Sequence, residues 1–179
     1  MATTRPSAPV GVNHLVLNVR DLEASHRFYT EFLGFEQCGA LAPEAPVEMR
    51  FYRSGPGSHH DLAHVQATVD AGEAPAWRMA HGRVGVNHFA VCYPTRESWL
   101  AQLEHLQAKD VAFLVRGNHG MSHSVYVADP DGNGVEVLYE LPAEVWEGDL
   151  NAALNHFEPL ERTGPDALLD DTDYPVFGR

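Results

Sequence analysis

Cysteine and positive charge are both scarce in this chain of 179 residues: it has 2 Cys, and 12 Lys+Arg stand against 25 Asp+Glu, for a formal net charge of −13. Two cysteines, Cys38 and Cys92, cannot build a disulfide framework or a thiolate zinc site, and their apolar surroundings predict buried free thiols. The excess of carboxylates disfavours polyanions as partners, so neither nucleic acid nor an anionic membrane is expected. Long apolar runs are also missing, and no transmembrane helix is predicted. Met1 to Pro9 hold one Arg and no apolar stretch, which leaves a cytoplasmic location as the expectation. With 44% hydrophobic residues, the chain can bury a core as one domain or two small ones. Histidine is what it has in plenty: 11 residues, nearly as many as Lys and Arg together.

The first internal pattern is a repeat. Val10-Gly11-Val12-Asn13-His14 returns letter for letter as Val84-Gly85-Val86-Asn87-His88, 74 residues later. Each copy continues with strand alternation, which sets His14 and His88 on the same face of equivalent strands. A helix follows each strand. Asp21 caps the first, whose apolar stripe is Leu22, Ser25, Phe28, Tyr29, Phe32 and Leu33, and Gly34 ends it. Thr95 caps the second, with Trp99, Leu100, Leu103 and Leu106 as its stripe. Three strands are predicted after each helix: 36–41, 47–53 and 60–67, then 111–116, 122–128 and 135–140. Asp129-Pro130-Asp131-Gly132-Asn133 is turn chemistry between the last two.

The expected fold is therefore α+β, two βαβββ modules forming one metal-binding, partly closed mixed sheet. Residues 1–9 are an arm, 10–70 the first module, 71–83 a linker, 84–141 the second module and 142–179 a C-terminal extension. One helix is expected near 150–157, and the acidic run from Asp166 to Asp173 reads as a solvated tail.

In a βαβββ unit the first and last strands lie side by side, so each copy offers two positions on a concave face. They are His88 and Glu136 in the second copy, 48 residues apart, and His14 and His60 in the first, 46 apart, which makes His60 the counterpart of Glu136. Whether Glu136 points inward is not settled by pattern, since it lies between Val135 and Val137. Alternation puts His60 and His64 on one face with Leu62, and His59 on the other, so His59 and His64 stay open as alternatives to His60. Two imidazoles and a carboxylate on one side of a metal, with the other side open, form the ligand set of a non-heme Fe(II) that activates dioxygen.

The segment from Gly117-Asn118-His119 through Val125-Tyr126, Asp129-Pro130 and Gly132 to Glu136 resembles the signature of the type I extradiol ring-cleavage dioxygenases of the vicinal oxygen chelate superfamily. The chain is similar to the short members of that group, of the biphenyl-2,3-diol 1,2-dioxygenase kind, over residues 10–141. The resemblance implies Fe(II), with Mn(II) suited to the same ligands, held by His14, His88 and Glu136. It implies His60, followed by Asp61 and an apolar pair, as the unligated acid/base. It implies His119 near bound oxygen and substrate, and Tyr126 on a substrate hydroxyl. The implied reaction is ring cleavage of a catechol beside its diol by dioxygen, giving a muconic semialdehyde type product. A homodimer or higher homo-oligomer is the habit of the superfamily. Glyoxalase I-like members carry a fourth ligand, a Glu, where this chain has His60, and bleomycin-resistance-like members bind a ligand without needing the triad. Of the other candidates, His59, His64, His81, His105, His123 and His156 have no matched partner and read as surface or outer groups. Met49, Phe51, Phe113 and Met121 are pocket or core residues, and Trp146 covers the pocket or packs on the sheet.

Overall fold

The structure is a computed structural model that describes residues 9–69, 72–79, 84–170 and 174–178. His81, residues 80 and 82–83 of the expected linker, the first eight residues of the arm, and 171–173 of the acidic run lie outside the described residues. The chain divides into two units, Met1–Gly72 and Glu73–Arg179.

The first unit is a four-stranded sheet in the order β1-β4-β3-β2, made of β1 (Leu15–Val19), β2 (Glu36–Ala40), β3 (Met49–Arg53) and β4 (Leu62–Gln66). Helix α1 (Leu22–Arg27) starts at Asp21, whose carboxylate accepts from the backbone N–H of Glu23 and Ala24, and it runs into a π turn over Phe28–Phe32. The parallel pair β1·β4 sets Leu15 opposite Leu62 and Leu17 opposite His64. Leu62, Tyr52, Tyr29, Leu22 and Phe28 are buried together with His64 on the helix side. His14, Val16 and Asn18 alternate onto the open side and are exposed.

The second unit repeats the plan as a five-stranded sheet, β5-β8-β7-β6-β9. Its strands are β5 (His88–Cys92), β6 (Val115–Asn118), β7 (Ser122–Ala128), β8 (Gly134–Glu140) and the short β9 (Glu158–Pro159). Thr95 and Ser98 close a reciprocal capping box on helix α2 (Arg96–Ala108), and Trp99, Leu103 and Leu106 bury its stripe against Val125, Val127, Val135 and Val137. Trp99 is fully buried and its Nε1 donates to the Val137 carbonyl at 2.9 Å. Burying each such side chain contributes about 1.5–3 kcal/mol. No described helix is long and apolar enough to cross a membrane.

Four expectations are corrected. The expected α+β fold of two βαβββ modules holds, but among the described residues the strands form two open sheets in place of one partly closed sheet. Both cysteines are free but exposed, because Cys38 lies on the edge strand β2 and Cys92 on the open face of β5. Strand β6 starts four residues later than the apolar run at Val111, because Phe113 turns into the core ahead of it. The run from Asp166 is no solvated tail: Pro165–Leu168 is a 3-10 turn, and the Asp170 carboxylate is buried. It accepts from His123 Nδ1 at 2.7 Å, Tyr139 Oη at 2.8 Å and Arg96 Nε at 2.9 Å. That cluster ties the extension to the helix side of the second sheet. Two short helices, α3 (Ala143–Trp146) and α4 (Leu150–Leu154), precede β9, which pairs with β6 and so makes the extension part of the sheet.

Candidate metal and substrate site

Register decides what faces the open side of the second sheet. Parallel β5·β8 pairs Ala90 with Glu136, so His88, two residues before Ala90, shares a face with Glu136. Antiparallel β7·β8 then brings Tyr126 opposite Glu136, and Ser124 lies two residues away on the same face. His88 Nε2 stands 3.3 Å from Glu136 Oε2. Glu136 is buried, and its other oxygen, Oε1, accepts from the fully buried Ser124 hydroxyl at 2.6 Å.

The other nitrogen of His88 is committed. Nδ1 lies 2.8 Å from Asn87 Oδ1, which can only accept, so Nδ1 carries a proton and Nε2 is the nitrogen turned toward the carboxylate. A proton or a metal ion between Nε2 and the carboxylate would satisfy both atoms. Metal bonds of about 2.1 Å at angles of roughly 90–110° place two donor atoms roughly 3.0–3.4 Å apart, the spacing these two atoms have. Among the described residues no group of three His, Cys, Asp or Glu is gathered into a metal cluster; the second unit supplies these two donors.

His119 follows β6 and is held in a tight loop: its N–H bonds the Ser122 carbonyl, and Gly120 N–H donates to Asn118 Oδ1 at 2.8 Å. Gly120 has φ +78° and a Cβ there would lie 2.9 Å from the Ala153 carbonyl, so only glycine fits. His119 Nε2 is 3.1 Å from the Tyr126 hydroxyl. Burial pushes the His119 imidazole below the ordinary histidine range, against a smaller opposing pull from Glu136. Burial also pushes the Tyr126 phenol far up, with the Glu136 charge adding to it, so Tyr126 keeps its proton. His119, Tyr126, Glu136, Met121, Leu138 and Leu154 line a cavity of about 320 Å3.

In the first unit His14 repeats the arrangement of His88, with Nδ1 2.8 Å from Asn13 Oδ1. The His60 ring is centred 4.5 Å from that of His14, and His59 and His60 share a hydrogen bond between their Nδ1 atoms at 2.7 Å. His60 is held below the ordinary histidine range by partial burial and then by the charges of His59 and His14. Alternation does not run through His60, because the chain bends at Asp61, whose carboxylate accepts from the backbone N–H and hydroxyl of Ser54, and β4 begins only at Leu62. His64 therefore points to the opposite side from His14, between Tyr29 and Tyr52. The register also corrects the pairing of the repeats: Val16, the equivalent of Ala90, pairs with Ala63, so Ala63 and not His60 occupies the place of Glu136.

Of the remaining candidates, Met121 lines the cavity, Phe51 lies edge-on to His60, Phe113 is core, and Met49 borders a separate hollow with Leu41 and Val47. Trp146 is half-buried with its Nε1 on the Leu141 carbonyl, a packing role. His123 is buried against Asp170, and the half-buried His156 rings against Phe177. Sequence reading missed Asn13, Asn87, Ser124, Trp77, Leu154 and Phe157. The two asparagines had a signal, since they recur with their histidines, and Ser124 is in phase with Tyr126. Trp77 stacks on Tyr126 at 5.5 Å and 8° and occupies the space a Cβ of Gly134 would need, while Phe157 lies over Gly117 and beside the His119 ring. Nothing local in the sequence marks those last contacts.

Residues 11–137 match the model of the Glyoxalase/Bleomycin resistance protein/Dioxygenase superfamily. The chain belongs to this superfamily, most of whose members are enzymes and which includes proteins that hold divalent metal ions. It is 25% identical over 138 residues to the catechol-2,3-dioxygenase of Bacillus subtilis (strain 168), a match covering 77% of this chain and 44% of that protein. The chain thus matches less than half the length of that relative. It is 29% identical over 154 residues to the lactoylglutathione lyase of Pseudomonas putida, covering 73% of this chain and 85% of that one. Among solved structures, a glyoxylase/bleomycin resistance protein/dioxygenase domain from Frankia sp. EAN1pec superposes with a TM-score of 0.60 at 20% identity, over 75% of this chain and all of that one.

Proposed function

We propose that the chain is an Fe(II)-dependent extradiol dioxygenase that opens the ring of a catecholic aromatic diol, with Mn(II) as an alternative metal. The observation that carries this reading is the pair His88 and Glu136, an imidazole Nε2 and a carboxylate oxygen 3.3 Å apart beside the His119–Tyr126 pair. In this reading His88 and Glu136 hold the metal and His14, its Nδ1 fixed in the same way, is the third protein ligand. When bound, the metal supplies coordination for both diol oxygens and for dioxygen, and a path for electrons between them. His60 removes a diol proton and returns one as the ring opens, which a neutral imidazole outside the ligand set is suited to do. Tyr126, held protonated, donates to a substrate oxygen, and His119 supports that hydroxyl from 3.1 Å. Leu138, Leu154 and Met121 give the aromatic ring an apolar seat.

A glyoxalase I-like reaction is the second reading, since the lactoylglutathione lyase of Pseudomonas putida is matched over most of its length. Against it, the first-module position equivalent to Glu136 is Ala63, which has no donor atom for a fourth ligand. Anaerobic loading with Fe(II), followed by catechol or 2,3-dihydroxybiphenyl and then dioxygen, tests the choice. Yellow ring-fission product with oxygen uptake is expected. Turnover of methylglyoxal hemithioacetal with no oxygen uptake from any diol would select the second reading.

A further inference from the structure

Asn87 sits immediately before the proposed ligand His88, and its side chain is bound at both ends. Its Oδ1 accepts from His88 Nδ1 at 2.8 Å, while its Nδ2 donates to the Met79 carbonyl at 3.1 Å and reaches the Arg78 carbonyl at 3.5 Å. The backbone carbonyl of Asn87 in turn accepts from Trp77 Nε1 at 2.7 Å. Two backbone carbonyls can only accept, so the amide nitrogen must face them and the amide oxygen must face the histidine. The orientation of the amide is thus set by segment 77–79, not by the histidine alone. Trp77 also lies edge-on to the His88 ring, with centroids 6.4 Å apart.

We propose that segment 77–79, acting through Asn87, is a positioning device that fixes His88 as its Nδ1–H tautomer and aims Nε2 at Glu136. The linker between the modules is then part of the site's outer layer. Asn13 Oδ1 makes a matching 2.8 Å contact with His14 Nδ1, a second instance of the asparagine–histidine contact within the chain. A ring free to exchange tautomers would present a proton, in part of the population, where a cation must bind. The importance of this for metal binding rests on the reading of His88 as a ligand; the tautomer assignment does not.

The test uses the full chain in two measurements. Long-range 1H–15N correlation of the metal-free protein, at a pH where the rings are neutral, reads the His88 tautomer. Titration with Mn(II) alone reads affinity. The wild type is expected to show Nδ1–H at His88; Asn87→Ala is expected to lose that single tautomer and to bind Mn(II) about 10- to 100-fold more weakly. Asn87→Asp keeps an acceptor at the histidine and is expected to keep the tautomer. An Asn87→Ala protein with the wild-type tautomer, or an Asn87→Asp protein with the tautomer of Asn87→Ala, overturns the proposal. A wild type that shows the tautomer but binds no Mn(II) leaves the positioning intact and overturns the metal reading instead.

Discussion

His88 and Glu136 face each other at 3.3 Å with every other polar atom of the pair already occupied: Nδ1 by Asn87 and Oε1 by Ser124. Removing either partner should abolish high-affinity metal binding while leaving the fold in place, since His88 is only half-buried and the sheet behind it is apolar. Metal content after dialysis is expected to fall to background in His88→Ala and Glu136→Gln. In His60→Ala it should stay at the wild-type level while turnover is lost. Metal loss in His60→Ala would remove His60 from the acid/base role.

Ser124 gives a subtler effect. Its hydroxyl donates to Glu136 Oε1 and so fixes the carboxylate with Oε2 toward His88. Ser124→Ala frees Oε1 and leaves it desolvated. A hydrogen bond to a charged group contributes about 1.5 kcal/mol, so affinity for Mn(II) should drop roughly tenfold. Calorimetric titration showing no change would mean that this contact does not hold the carboxylate.

The first unit should be sensitive to mild acid through His64. This imidazole is fully buried with no hydrogen-bond partner on either nitrogen among the described residues, and burial, then the charges of His26 and Arg50, lower its pKa from 6.5 to about 4. The folded state therefore binds the proton less readily than the unfolded chain. Stability is fully present above pH 6.5 and is lost as the pH falls from 6.5 to about 4, by roughly 3 kcal/mol in total. Urea midpoints measured across that range should fall for the wild type and stay flatter for His64→Leu.

In the second unit the Asp170 cluster is the corresponding point of weakness. Burial raises the Asp170 carboxyl, yet the hydrogen bond and charge of His123, with Tyr139 and Arg96, more than offset this and hold it below the usual carboxylate range. Asp170→Asn leaves the buried Arg116 guanidinium, 3.8 Å from the carboxylate, without its counter-charge. Loss of one partner from such a cluster costs about 3–5 kcal/mol, which denaturant unfolding followed by Trp fluorescence would register. A variant as stable as the wild type would show that the extension is held without this cluster, by the β9–β6 pairing and its other contacts.

How much of this was legible beforehand varies by element. The strand that follows His14 and the strand that opens at His88 could be read because the same five residues recur, and Asp21 and Thr95 cap helices where their side-chain chemistry requires. Residue counting failed at His60, because spacing cannot reveal that Asp61 bends the chain before β4. It also failed for Asp170, whose acidic neighbours hide that His123, Tyr139 and Arg96 wait for it 31 to 74 residues away. Phe157 and Trp77 reach the site only through close approach to glycines at 117 and 134, a relation that exists in three dimensions alone.

Isotope tracing of dioxygen separates the two chemistries at the level of atoms. With Fe(II)-loaded protein, catechol and 18O2, mass spectrometry of the ring-opened product should show both oxygen atoms of one dioxygen molecule incorporated, with one dioxygen consumed per diol. Absence of 18O from every product, together with anaerobic conversion of a hemithioacetal, would contradict a dioxygenase built on His88 and Glu136.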